Sequence, residues 1–148
     1  MKKMKVKKIG MTQIFDESGE VFPVTLVIPI ESEKSDGKEA VFTEGETVAV
    51  SGISKGKGFQ GVVKRHKFGG GRRSHGQKHS EREVGSIGGG GRAGGRVAKG
   101  MRMAGRMGGE RITVKNLKIV KISPETREIF VRGAIPGRRG ATVEIRAV

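Results

Sequence analysis

Apolar and polar side chains alternate over short stretches near both ends of this chain, and the alternation is lost between them. Thr47–Ile53 (TVAVSGI) and Ile112–Ile122 (ITVKNLKIVKI) carry alternating apolar positions, the period of a half-buried strand. Val6–Phe15 and Val21–Ile28 flank Asp16-Glu17-Ser18-Gly19 and predict an N-terminal hairpin. Arg127–Ile135 follows the turn Ser123-Pro124-Glu125-Thr126, which predicts a second hairpin. Thr142–Arg146 (TVEIR) places Val143 and Ile145 on one face of a further strand. No internal repeat is visible.

The apolar residues used point the same way. Val and Ile number 28 together against two Leu, and β-branched side chains fit a pleated sheet while losing rotamer freedom in helices. A length of 148 residues suits one domain. The chain therefore reads as mainly β: a small barrel or sandwich made by both termini, residues 1–54 and 111–148, within a single domain 1–148.

Charge and glycine locate the rest. The chain carries 30 Lys+Arg against 15 Asp+Glu, a net charge of +15. Residues 1–51 have a net charge of −2, residues 52–115 of +13 and residues 116–148 of +4. The middle segment also holds 19 of the 26 glycines and only 16 apolar residues among 64. So few apolar groups cannot offset the backbone entropy of so many glycines, so the segment cannot bury a core of its own. Residues 55–110 then form a long Gly/Arg/Lys-rich central extension, and loops of that length inside a domain are usually functional. Doubled back on itself, it could reach at most about 90 Å at ~3.3 Å per residue. Residues 65–108 are expected to be disordered or protease-sensitive in the free protein and to become protected on RNA.

Several classes fall away. The chain has no Cys, which excludes a disulfide scaffold, a thiolate zinc site and a cysteine nucleophile. Its longest apolar stretch, Val21–Ile30, has ten residues with two prolines and is too short and broken to span a bilayer. The basic N-terminus MKKMKVKKIG lacks an apolar core or cleavage site and does not read as a secretory signal. A cytoplasmic, polyanion-binding protein with no membrane partner remains.

Candidate chemistry lies in the middle segment. Gly56-Lys57-Gly58-Phe59-Gln60-Gly61 spells G-x-G-x-x-G after a predicted strand, yet Val62-Val63-Lys64-Arg65-His66 allows barely two helical turns before Gly69-Gly70-Gly71. Those glycines suit close approach of backbone to phosphate, with Lys55 and Lys57 neutralising it. His75 and His79 are four apart, as helical metal ligands can be, but stand in a polar loop without cysteine; imidazoles against bases or phosphates fit better. Nothing resembles a nucleophile elbow, and no acid is placed to orient a histidine base, so no catalytic residue, metal or cofactor is assigned and the chain is read as a non-enzyme without a small-molecule substrate. Arg92, Arg96, Lys99, Arg102 and Arg106 recur at helical spacing, but Gly94, Gly95, Gly100 and Gly105 argue against a helix. A solvated, flexible, RGG-like segment would account for both; an irregular backbone threaded through nucleic acid does so better, since Met101, Met103 and Met107 among the arginines read as packing residues.

Lys8-Ile9-Gly10-Met11-Thr12-Gln13-Ile14-Phe15, Ser51–Gly61 and Lys64-Arg65-His66 resemble the universal ribosomal protein L-three family of the large subunit. The resemblance continues, in the family's order, through Ser74-His75-Gly76, Gly85-Ser86-Ile87-Gly88, Arg96–Gly100, Met103–Gly108, Arg111–Leu117 and Gly133–Gly137. It implies a translation-protein-type β-barrel that binds ribosomal RNA early in assembly, with neighbouring ribosomal proteins as further partners, and sends its extension toward the peptidyl-transferase region. Carried over by position, the RNA contacts are Lys55, Lys57, Lys64, Arg65, His66, Arg72, Arg73, His75, Lys78, Arg82, Arg92, Arg96, Lys99, Arg102, Arg106 and Arg111. The chain is shorter than usual bacterial members, with the deficit between Ile30 and Gly45, so part of the first half of the barrel is expected to be trimmed. Some members carry a methylated glutamine just after the Gly-Ser-Ile-Gly motif; here Gly89, Gly90 and Gly91 follow and offer no acceptor.

Two other classes make different predictions. A general nucleic-acid-binding protein binds duplex DNA as tightly as ribosomal RNA at matched salt. A nucleotide-dependent enzyme using Gly56–Gly61 binds ATP or NAD and loses it on Lys57→Ala.

Overall fold

The alternating Val and Ile positions become strands, and the strands close on one another. The computed structural model describes residues 2–30, 42–89 and 94–148. In chain order the elements are β1 (Lys3–Phe15), β2 (Val21–Pro29), β3 (Thr47–Ile53), β4 (Phe59–Gln60), α1 (Val62–His66), β5 (Gly105–Arg106), β6 (Arg111–Ser123), β7 (Glu128–Arg132) and β8 (Thr142–Ala147). Six of them form a closed barrel in the order β1-β2-β7-β6-β3-β8, antiparallel at every pairing. Closure leaves no continuous free edge around the sheet. The barrel is complete despite the short connection after Ile30. The expectation of trimming concerns residues that lie partly outside the described ones, since 31–41 are not among them.

Two compact units make up the chain: Met1–Lys55 with Gly109–Val148, and Gly56–Gly108. The first is the barrel. Val6, Val27, Val48, Val50, Ile119, Ile129, Val131, Val143 and Ile145 fill its core, with Phe42 and Ile135 packed among them. Each such side chain removed from water contributes roughly 1.5–3 kcal/mol.

Local chemistry sets the corners. The β1–β2 hairpin turns at Asp16–Glu20, where the Gly19 amide donates to Asp16 O at 2.9 Å and Gly19 takes φ +82°. Between Val114 and Leu117, β6 carries one residue more than β3 does between Val50 and Val48, and Asn116 takes up the bulge with φ 59°. Lys8 is buried, at 8% exposure. Its ammonium donates to Ile135 O at 2.8 Å and Gly137 O at 3.1 Å, holding the loop before β8 against β1. Burial, and then the neighbouring charge of Lys55, keep this ammonium below the ordinary lysine range.

Glu144 on β8 accepts from Arg111 Nη2 at 2.6 Å and pairs with Lys3 Nζ at 3.2 Å, linking β6, β8 and β1. The bonds from Arg111 and then Lys3 hold its carboxyl below the usual carboxylate range. A lowered folded value gives stability that is present above the ordinary glutamate value and lost as pH falls through the folded one. Glu144→Gln should therefore cost up to about 1 kcal/mol at neutral pH, and nothing once the wild-type carboxylate is protonated. Urea denaturation at neutral pH and in acid checks both.

Candidate nucleic-acid interface

The second unit, Gly56–Gly108, has 13 Lys and Arg against two acids, Glu81 and Glu83. Its order comes from backbone pairing and from glycines that let backbone approach backbone. The Lys57 amide donates to Met107 O and the Met107 amide to Gly58 O, each at 2.9 Å, and β4 pairs antiparallel with β5. Helix α1 follows, five residues from Gly61 to the left-handed Lys67. Farther along, the Gly71 amide donates to Glu81 O at 3.0 Å. A Cβ at Gly71 would lie 2.7 Å from Ser80 O, and one at Gly70 would overlap Glu81 O, so both positions exclude any side chain.

This geometry bears on the alternatives raised by the sequence. A dinucleotide site needs a parallel strand running into a helix long enough to pack on the sheet. Here β4 has two residues, its partner is antiparallel, and α1 has five. Among the described residues, no three His, Asp or Glu side chains gather as a metal would require. No helix of the described residues is long and apolar enough to cross a membrane.

The basic residues fall into two kinds. Lys57, Lys64, Arg72, Arg73, His75, Lys78, Arg82, Arg96, Lys99, Arg102 and Arg106 are exposed in the second unit. Among the described residues of that unit, a carboxylate meets a cation once, Glu81 with Arg73 at 3.6 Å. Arg102 lies over an aromatic ring, and the other exposed cations offer their charge to solvent, an arrangement suited to a polyanion. Arg65 and His66 are half-buried and point inward. Arg65 Nη1 donates to Met103 O at 2.8 Å, and His66 Nε2 reaches the same carbonyl at 3.0 Å. They tie α1 to the segment leading into β5. Lys55 and Arg111 belong to the first unit, where Arg111 is engaged with Glu144. Arg92 lies outside the described residues, as do Gly90 and Gly91.

Sequence reasoning passed over four features. Phe68 stands in the second unit with the Arg102 guanidinium 5.2 Å from its ring centroid and the His66 ring at 6.0 Å. Beside it, a hollow of about 400 Å³ is lined by Phe68–Gly71, Ser80 and Glu83–Gly85. With a carboxylate and no cation in its lining, the hollow does not suit a phosphate. Arg138 and Arg139 are exposed on the barrel loop held by Lys8. Phe59 is 76% exposed on β4. The signal for Phe59 was present, a lone aromatic in a run of Gly and Lys, but with no partner in sequence it said nothing of exposure.

Comparison with known proteins follows the same residues. A family profile described as ribosomal protein L3 matches residues 1–132. The large ribosomal subunit protein uL3 of Chlorobaculum parvum is 59% identical over 105 residues, covering 71% of this chain and 50% of its own length. That of Herpetosiphon aurantiacus is 38% identical over 197 aligned positions, covering 94% of this chain and 92% of its own. That of Acidothermus cellulolyticus is 36% identical, covering 95% and 89%. The chain thus spans about half the length of the Chlorobaculum relative. The Herpetosiphon alignment is longer than the 148 residues present here, so that relative carries positions this chain lacks.

Proposed function

The chain belongs to the ribosomal protein L3 family, and from that premise we propose that it is a non-catalytic structural constituent of the large ribosomal subunit. The barrel anchors it, and residues 55–110 act as an extension that enters folded ribosomal RNA toward the peptidyl-transferase region. One observation carries the RNA reading: among the described residues, exposed cations of the second unit stand almost without internal counter-ions, on a backbone ordered by strand pairing and glycine contacts rather than by an apolar core. Phosphate oxygens are the natural partner for such a surface, because neutralising them releases condensed counterions. Glycine-rich irregular backbone also suits the uneven surface of folded RNA better than a regular duplex groove.

The proposed contacts are the exposed Lys57, Lys64, Arg72, Arg73, His75, Lys78, Arg82, Arg96, Lys99, Arg102 and Arg106. Lys55, Arg92 and Arg111 complete the set. Arg65 and His66 support it by holding Met103. Localisation to the cytoplasm, on the ribosome, follows from this reading.

Sucrose-gradient sedimentation of cell lysate at moderate salt tests it, with the chain expected in the large-subunit fraction. Limited proteolysis of the purified chain should cut within 65–108, and large-subunit RNA should suppress those cuts. A chain that stays free of large subunits, or that binds duplex DNA as well as ribosomal RNA at matched salt, would belong instead to a general nucleic-acid-binding protein.

A further inference from the structure

Phe59 is exposed on a backbone too well fixed for chance. Its strand is held by the paired amides of Lys57 and Met107, and the Gln60 side chain donates back to Lys57 O. Across the ribbon, Phe59 stands opposite Arg106 and Gln60 opposite Gly105. Opposed residues of an antiparallel pair share a face, and successive residues take opposite faces. The ribbon therefore has a Gln60–Gly105 face and a Phe59–Arg106 face.

The two faces differ. Against Gly105 lies the guanidinium of Arg65, whose Nη1 would be 2.6 Å from a Cβ at that position. Among the described residues the other face carries no such cover: Phe59 and Arg106 are both exposed, and the chain before and after the ring is bare at Gly58 and Gly61, where a Cβ would meet nothing within 4 Å. A flat ring is thus presented between stretches of bare backbone, with Arg106 across from it and Lys57 two residues before it.

We propose that Phe59 is a stacking platform for an unpaired RNA base, with Arg106 and Lys57 taking the flanking phosphates. This rests on the reading that the chain binds ribosomal RNA, and it names the part of the RNA taken here: a single-stranded, unstacked nucleotide rather than a duplex. Every base has a π-face, so an aromatic platform with cations around it accepts any of them. The cations also choose between occupants. Lysine is depleted at protein–protein interfaces, and here Lys57, Arg106 and bare glycine backbone flank the ring as partners for phosphate.

The test uses the full chain with two probes, a single-stranded oligoribonucleotide of about 12 nucleotides and an RNA duplex of the same length. Phe59→Ala should weaken binding of the single strand by about 5- to 150-fold. Duplex affinity and the salt dependence on both probes should stay as in the wild type, because no charge is removed. Phe59→Trp should keep wild-type affinity, whereas Phe59→Leu, apolar but not flat, should not. Unaltered melting of Phe59→Ala verifies the fold, as expected for an exposed ring. Equal affinity of Phe59→Ala and wild type for the single strand overturns the proposal, as does an equal loss on the duplex. Loss of self-association in Phe59→Ala with RNA binding intact also overturns it, and assigns the face to a second copy of the chain. Failure of the ribosomal reading looks different: the wild-type chain itself binds neither probe.

Discussion

Raising salt from about 50 to about 200 mM should weaken binding of the chain to large-subunit ribosomal RNA by about 10³- to 10⁵-fold. Residues 52–115 hold 16 Lys and Arg. If ten of them meet phosphate, log affinity falls against log salt with a slope of roughly −7 to −9. The structure sharpens which residues count. Arg72, Lys78 and Arg82 are exposed and make no ion pair among the described residues, so each change to Gln should make the slope shallower by about 0.7–0.9 while leaving the fold intact. Arg65→Gln should behave otherwise, because its guanidinium serves Met103 O. It should loosen the link between α1 and β5, and lower affinity through lost order more than through lost charge. Fluorescence anisotropy across a potassium chloride series separates the two behaviours. A wild-type slope shallower than about −3 would mean too few phosphate contacts for an RNA-embedded extension.

That contrast marks how far the sequence could be read. Strands were legible because burial in a barrel imposes a period of two. Thr47–Ile53 is β3 to the residue, and the strands read over Val6–Phe15, Val21–Ile28 and Thr142–Arg146 lie within β1, β2 and β8. Even the irregularities left a trace. In Ile112–Ile122 the apolar step lengthens from two to three between Val114 and Leu117, and the alternation slips again where Ile119 and Val120 are apolar in succession. These are the two places where β6 carries an extra residue against its partners. The second unit was legible only as charge and glycine. A glycine that admits a carbonyl, as Gly71 admits Ser80 O, is spelled like a glycine that serves only freedom. Whether an arginine faces solvent or a carbonyl depends on backbone returning 38 residues later, as Met103 does to Arg65, and no local pattern encodes that. Composition thus marked out the basic, glycine-rich segment without separating its outward-facing cations from its internal ties.

The barrel itself answers to a different change. Ile145→Ala should cost about 2–5 kcal/mol, since a large buried aliphatic cut to alanine loses its transfer energy and leaves a cavity. Ile145 is fully buried on β8, between β1 and β3, where it faces Met4 on one side and Val50 on the other. Most of the core around it is Val and Ile, short and stiff at χ1, which leaves Met4 alone beside it as a side chain flexible enough to fill part of the gap. Against a stability of about 5–15 kcal/mol for a domain, the loss is large. The melting temperature should fall by about 5–20 °C. Val143→Ala removes less volume and should cost less. Neither change touches a cation, so chain that remains folded should keep the wild-type salt slope. RNA in excess should also restore part of the lost stability, because a ligand that binds only the folded state adds about 2.7 kcal/mol at a concentration 100-fold above its Kd. Thermal melts of both variants with and without ribosomal RNA read all three effects. A melting temperature unmoved by Ile145→Ala would show that the barrel core does not govern the cooperative transition. A drop that RNA fails to reverse would show that the unfolded chain, with its polycationic middle, binds the RNA as tightly as the folded one.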